Sequence, residues 1–138
     1  MGTMKVLIIT DGTETIQSIA LNIQEALNAI NSEKKTTAKI CPAHEFHGKE
    51  LLPSELFLIG CETPSPSSFA WLEEMLSHIN LASRKCGVFS VNTKTVNYLR
   101  SILKDSEAEI AEPFIAEKGA VKKADIKKWI KQITKNRG

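Results

Sequence analysis

The chain has 138 residues, 42% hydrophobic and 25% charged, a mix that excludes a disordered chain and fits one globular domain. No apolar run approaches the roughly 18 residues of a membrane helix, and Val6 to Ile9 is too short for the core of a signal peptide. The formal charge of +2 conceals two opposed regions: residues 1–117 carry 10 basic and 15 acidic side chains, and residues 118–138 carry 8 basic and 1 acidic. A uniformly basic nucleic-acid binder has a different pattern. The expectation is a cytoplasmic protein with neither nucleic acid nor membrane as partner.

Cys41, Cys61 and Cys86 are odd in number and lack C-x-x-C spacing, which predicts reduced thiols and neither a disulfide framework nor a zinc site. Met1-Gly2-Thr3 reads as a cloning remnant ahead of Met4, so the expected domain is 4–138.

Lys5 to Thr10 (KVLIIT) is a short apolar run ended by Asp11-Gly12, the pattern of a strand buried on both faces. Ile16, Ile19, Ala20, Ile23, Ala26, Leu27 and Ile30 then recur at helical spacing. They predict an amphipathic helix of about four turns, with Asp11, Thr13 or Thr15 as its cap. A polar turn leads to a second strand, Thr36 to Cys41, stopped by Pro42. The stretch from Ala43 to Glu55 reads as a loop with one helical turn.

Leu56 to Cys61 (LFLIGC) is the third strand, followed by the breaker-rich Glu62 to Ser68. Phe69, Leu72, Met75, Leu76 and Ile79 mark a second helix, capped by Ser67 or Ser68. Cys86 to Val91 is the fourth strand. Asn92 or Thr93 caps a third helix whose inner face carries Val96, Leu99, Ile102 and Leu103. Glu109 to Ala116 is the fifth strand, and Pro113 within it predicts a sheet edge or a bulge, because proline has no ladder donor. The last helix turns Ile126, Trp129, Ile130 and Ile133 inward. Lys122, Lys127, Lys128, Lys131 and Lys135 cover its outer face, a surface suited to an acidic partner.

Strands alternating with helices predict an α/β domain with right-handed crossovers and helices on both faces. Five strands give a doubly wound parallel sheet of order 2-1-3-4-5, with a site at the C-terminal strand ends beside strand 1.

Residues 4–135 resemble the flavodoxin-like family, a three-layer α/β sandwich. The resemblance rests on KVLIIT running into Thr10-Asp-Gly-Thr-Glu-Thr15 and a helix, on Leu58-Ile-Gly-Cys-Glu-Thr-Pro64 after strand 3, and on Ala108 to Gly119 before the terminal helix. It implies noncovalent FMN binding and electron transfer to a redox partner protein. By the same likeness, the phosphate would lie on Thr10, Asp11, Gly12, Thr13, Glu14 and Thr15. The ring would be flanked by Glu62, Thr63, Pro64 and Ser65 on one side and Asn92 and Thr93 on the other. The resemblance implies an electron carrier or binding protein, without catalytic side chains and without a metal.

The phosphate loop departs from the family pattern, which runs close to S-x-T-G-N-T. Asp11 and Glu14 put carboxylates near the phosphate position. Two charges about 4 Å apart repel by about 4 kcal/mol at an effective dielectric near 20. The flanking loops also lack the Trp and Tyr that often stack on the ring. The alternative expectation is a flavodoxin-fold binding or interaction module, or a degenerate receiver-like domain, that has lost flavin. Against a phosphorylatable receiver, Cys61-Glu62 stands where the phosphoacceptor aspartate would end strand 3, and Glu112 stands where a basic residue would precede Pro113. His44 and His47, three apart, read as two surface histidines. Cys61 reads as a small buried filler.

Overall fold

The computed structural model describes residues 3–29, 35–46, 56–82, 84–117 and 121–134. The strands are β1 (Thr3–Thr10), β2 (Lys35–Pro42), β3 (Leu56–Gly60), β4 (Lys85–Ser90), β5 (Glu109–Ile110) and β6 (Phe114–Ile115). All pairings are parallel, in the order β2-β1-β3-β4-β5, with β6 also paired to β4. This is the doubly wound order expected from the alternation. The helices are α1 (Glu14–Asn28), α2 (Ala70–Leu76), α3 (Thr93–Leu103) and α4 (Lys123–Thr134).

The central strands are apolar because both their faces are covered. Val6, Ile8, Leu56 and Leu58 pack under α1 and α4, with Ile16, Ile19, Ile23, Ile126, Trp129 and Ile130. The alternate residues Leu7, Ile9, Phe57 and Ile59 pack under α2 and α3, with Leu72, Leu76, Val96 and Leu99. The period of two along each strand thus divides one apolar run between two cores.

Several boundaries move from the sequence expectation. β1 begins at Thr3, which pairs with Lys35, so the chain joins the sheet before Met4. β4 runs from Lys85 to Ser90 and β3 ends at Gly60. The expected fifth strand is two short pieces, β5 and β6, both on β4. The break spans Ala111–Pro113, as the proline foretold. Across it, the Glu112 carbonyl accepts a 2.6 Å hydrogen bond from Trp129 Nε1. The helix expected from Phe69 onward begins as a 3₁₀ turn, Ser67–Phe69, and no serine side chain caps it.

Trp129 also sits edge-on to Phe89, with ring centroids 6.5 Å apart, and tilted against Phe114 at 5.4 Å. Gly87 makes room for it: a Cβ there would lie 3.0 Å from the Trp129 ring and 2.7 Å from Leu58. Ile30, His47 and Lys135 lie outside the described residues. Among the described residues, no helix is long and apolar enough to cross a membrane.

Candidate functional site

Parallel pairing puts the ends of β1, β3 and β4 side by side. Thr10 pairs with Gly60, and Gly60 with Phe89. The loops that leave these strands at Asp11, Cys61 and Val91 therefore emerge together at one edge.

The first loop is short, and Gly12 makes its turn at φ +82, a left-handed conformation that favours glycine. Thr13 is the N-cap of α1, yet no side chain caps the helix. The first helical N–H with an acceptor is that of Gln17, which donates to the Thr13 carbonyl at 2.9 Å. The amides of Glu14, Thr15 and Ile16 therefore lack intrahelical acceptors, as helix geometry requires. With the helix dipole behind them they suit an anion. Glu14 is exposed and Thr15 half-buried.

Asp11 does not stand as a bare charge over this helix end. Its Oδ1 accepts from the Thr13 amide at 3.0 Å and from the Thr13 hydroxyl at 2.8 Å. Its Oδ2 accepts from the Glu62 amide at 2.8 Å. The carboxylate is thus turned onto three donors of the protein itself. Thr10 is fully buried and donates its hydroxyl to Gln17 Oε1 at 2.6 Å, beneath the loop. Of the six first-loop candidates, only Gly12, Glu14 and Thr15 keep side chain or surface free of these contacts.

The second loop is joined to the third through one residue. The Glu62 carbonyl accepts from Thr95 Oγ1 at 3.2 Å and from Asn92 Nδ2 at 3.5 Å. Asn92 caps α3, its Oδ1 accepting from the Thr95 amide at 2.8 Å. Thr63 and Ser65 are exposed, Pro64 is half-buried, and Thr93 is exposed at the first turn of α3. Ser65 takes φ +51, a left-handed conformation few non-glycine residues adopt.

Sequence reasoning passed over several supports of these loops. Ser90 Oγ donates to the Cys61 carbonyl at 2.7 Å, and Ser68 Oγ to the Asp11 carbonyl at 3.4 Å. Thr95 is fully buried. Its place three residues after a capping asparagine was the available signal. Tyr98 on α3 donates a short hydrogen bond to Glu73 on α2, behind the second loop. Burial, and then this bond, pushes the Tyr98 hydroxyl well above its ordinary pKa.

Cys61 is fully buried. Burial pushes its thiol far up, and the Asp11 and Glu73 carboxylates add to the shift. It stays a protonated filler, the reverse of an activated nucleophile. Cys41 and Cys86 are also buried and unbridged. His44 is exposed on the 3₁₀ turn Ala43–Glu45. Among the described residues, no group of three metal-ligating side chains exists.

An FMN-sized ligand divides these residues in two. The phosphate end fits: free amides, a helix dipole and open space at Gly12, where an added Cβ would meet nothing within 4 Å. The ring end offers polar loops with no aromatic of their own: Phe69 is buried in the core, Trp71 donates to the Phe46 carbonyl at 3.2 Å, and the nearest aromatic, Tyr98 of α3, has its hydroxyl engaged with Glu73 and Ser65.

No family model and no curated protein matches the sequence. Solved structures do match the fold. A flavodoxin of Streptococcus pneumoniae superposes with a TM-score of 0.80 at 14% identity, covering 96% of this chain and 99% of that one. Oxidised flavodoxin 2 of Bacillus cereus gives 0.76 at 19% identity, covering 95% and 98%. A Fusobacterium nucleatum flavodoxin bound to flavin mononucleotide gives 0.73 at 13% identity, covering 96% and 97%. At these identities the likeness is one of fold, and it runs the length of both chains.

Proposed function

We propose that this flavodoxin-fold protein binds FMN noncovalently at the C-terminal edge of its sheet and acts as an electron carrier. The observation that carries the reading is the uncapped start of α1, open at the end of β1. Free amides at a helix end hold a phosphate without a lysine, and a structure of the same fold is that of a flavodoxin bound to flavin mononucleotide.

In this reading the amides of Glu14, Thr15 and Ile16 and the Thr15 hydroxyl hold the phosphate. The loops at 62–65 and 91–93 flank the ring. When bound, the flavin supplies the redox chemistry, and the protein contributes position and field. Asp11 holds the first two loops together, while Asn92 and Thr95 hold the second to the third. The carrier works in the cytoplasm with a redox partner protein. The exposed lysines of α4 offer an acidic partner a docking face.

An absorbance scan of the purified protein and a titration with FMN test the reading. A yellow preparation, or quenching of FMN fluorescence on addition of protein, is the expected result. Colourless protein that takes up no FMN refutes it.

Two observations favour a second reading. Both backbone groups of Glu62 are already satisfied inside the protein, and neither flanking loop carries a stacking aromatic. A flavodoxin-fold binding module without flavin accounts for both facts. The same titration separates the two readings.

A further inference from the structure

α1 and α4 lie side by side over a shared core, and a hollow of about 170 Å³ opens between them. Its floor is apolar: Ile126 is buried, and Ala26 packs half-buried against the same core. The rim is charged. Lys123 and Lys127 stand on the α4 side, and Asn22 and Glu25 on the α1 side. Lys131 continues the lysine row and is exposed, as are Lys123 and Lys127. Four-residue spacing sets successive members of that row about 6 Å apart along the helix. Across the hollow, Lys123 Nζ lies 3.9 Å from Glu25 Oε1, with the two side chains 77% and 73% exposed. An ion pair so open to water contributes little to stability, so an incoming carboxylate displaces Glu25 at small cost.

We propose that the groove between α1 and α4 docks an acidic amphipathic helix of a partner protein. Carboxylates four residues apart on that helix match the row Lys123, Lys127 and Lys131, and an apolar side chain beside them enters the hollow over Ala26 and Ile126. This is the helix-in-groove mode, with charge setting the register. The charges also select against other anions. A phosphate backbone or an anionic lipid surface would meet Glu25 on the opposite wall. A lipid surface also needs apolar side chains to insert, and those of α4, Ile126, Trp129, Ile130 and Ile133, are buried in the protein's own core. The proposal rests on the carrier reading only for the partner's role, since the groove involves none of the loops assigned to FMN.

The test uses the full chain labelled with ¹⁵N, without flavin. The probe is a synthetic helical peptide with glutamates at four-residue intervals and a row of leucines beside them. The peptide should shift the amide signals of Ala26, Ala29, Ile126 and Lys127 with one midpoint. Lys123→Gln, Lys127→Gln and Lys131→Gln should each weaken binding about twofold to fivefold, the range for an exposed ion pair, and added salt should weaken it further. Replacing the leucines of the peptide by alanine should weaken it about tenfold or more. Ala26→Phe, which fills the hollow and keeps every lysine, should do the same. The peptide comparison is made on the unaltered protein, so the result stands even where Ala26→Phe fails to fold.

Three results overturn the groove. One is equal affinity for the leucine and alanine peptides, which would reduce the contact to diffuse charge. Another is saturable binding with the shifts outside α1 and α4. The third is capture of the protein by phosphatidylserine vesicles with the peptide signals unmoved. Each leaves the FMN titration as it was, and a protein that takes up no FMN leaves the peptide titration as it was, so the two failures are distinguishable.

Discussion

Replacing Trp129 by alanine should unfold a large part of this protein's stability margin. The side chain is 4% exposed, so its removal empties a site lined by Phe89, Phe114 and Gly87. Trp→Ala in a core costs about 3–5 kcal/mol. The change also strands the Glu112 carbonyl, whose bond to Nε1 is 2.6 Å long and contributes about 0.5–1.5 kcal/mol net. A whole domain is stable by about 5–15 kcal/mol, so the variant approaches the limit of folding. For a chain of this size each kcal/mol moves Tm by about 4 °C, so the two terms together give a fall of about 14–26 °C by calorimetry or circular dichroism. Trp129→Phe keeps a ring and loses the donor, so it should retain more than half of the difference. Tm within about 4 °C of wild type for the alanine variant would refute the packing argument, and equal losses in both variants would refute the role given to the ring.

Three further outcomes follow from the same packing and charges. Gly87→Ala should cost about 1–3 kcal/mol through overpacking, and a double-mutant cycle in urea should show less than additive loss with Trp129→Phe, since the added methyl meets that ring. Glu14→Gln should tighten FMN about fivefold, because an exposed charge near a phosphate repels by about 1 kcal/mol in water-like dielectric, and the gain should shrink as salt is raised; a hundredfold change in the titration would mean that the carboxylate is not solvent-screened. The buried thiols of Cys61 and Cys86 ionise readily only in the unfolded chain, so the unfolded state binds fewer protons above the ordinary thiol value of 9.0. Stability under reducing conditions should then fall as pH rises beyond that value, by up to about 1.4 kcal/mol per pH unit for each thiol, and Cys86→Ala should make the fall shallower.

The strand order was legible because burial on both faces leaves a plain mark, four to six apolar residues between turn signals. Pro113 likewise announced the edge break, since a missing donor has few places in a sheet. The direction of Asp11 was hidden. From sequence its carboxylate was one of two charges set against a phosphate, and the distance assumed for both was the same. In the fold, Glu14 faces solvent while Asp11 turns onto Thr13 and Glu62. No local pattern encodes the second contact, because residue 62 lies 51 positions away in the chain and meets Asp11 only through the register of β1 with β3. Thr95 was missed for a related reason. A buried threonine on a helix reads as a poor helix former until the carbonyl it satisfies is known.

These placements change what the unusual loop means. Two acidic residues in a phosphate loop suggest a site disabled by charge. The contacts separate them into one exposed carboxylate whose field is screened and one that replaces an external anion as the hydrogen-bond partner of the loop. In the proposed FMN reading, Asp11 keeps the Thr13 amide occupied, and the amides of Glu14, Thr15 and Ile16, which have no intrahelical acceptor, remain for the phosphate. The charge distribution agrees with such a protein. Its acidic body is offset by the C-terminal lysines, so the field that would steer a strongly acidic carrier to basic partners is weak here. In the proposed carrier role, recognition of a partner falls to local faces, and the exposed Lys127, Lys128 and Lys131 of α4 offer one. Reversal of Lys127 and Lys128 to glutamate should slow electron transfer to an acidic partner while leaving the FMN titration unchanged, and an effect on FMN affinity instead would place that face within the flavin site.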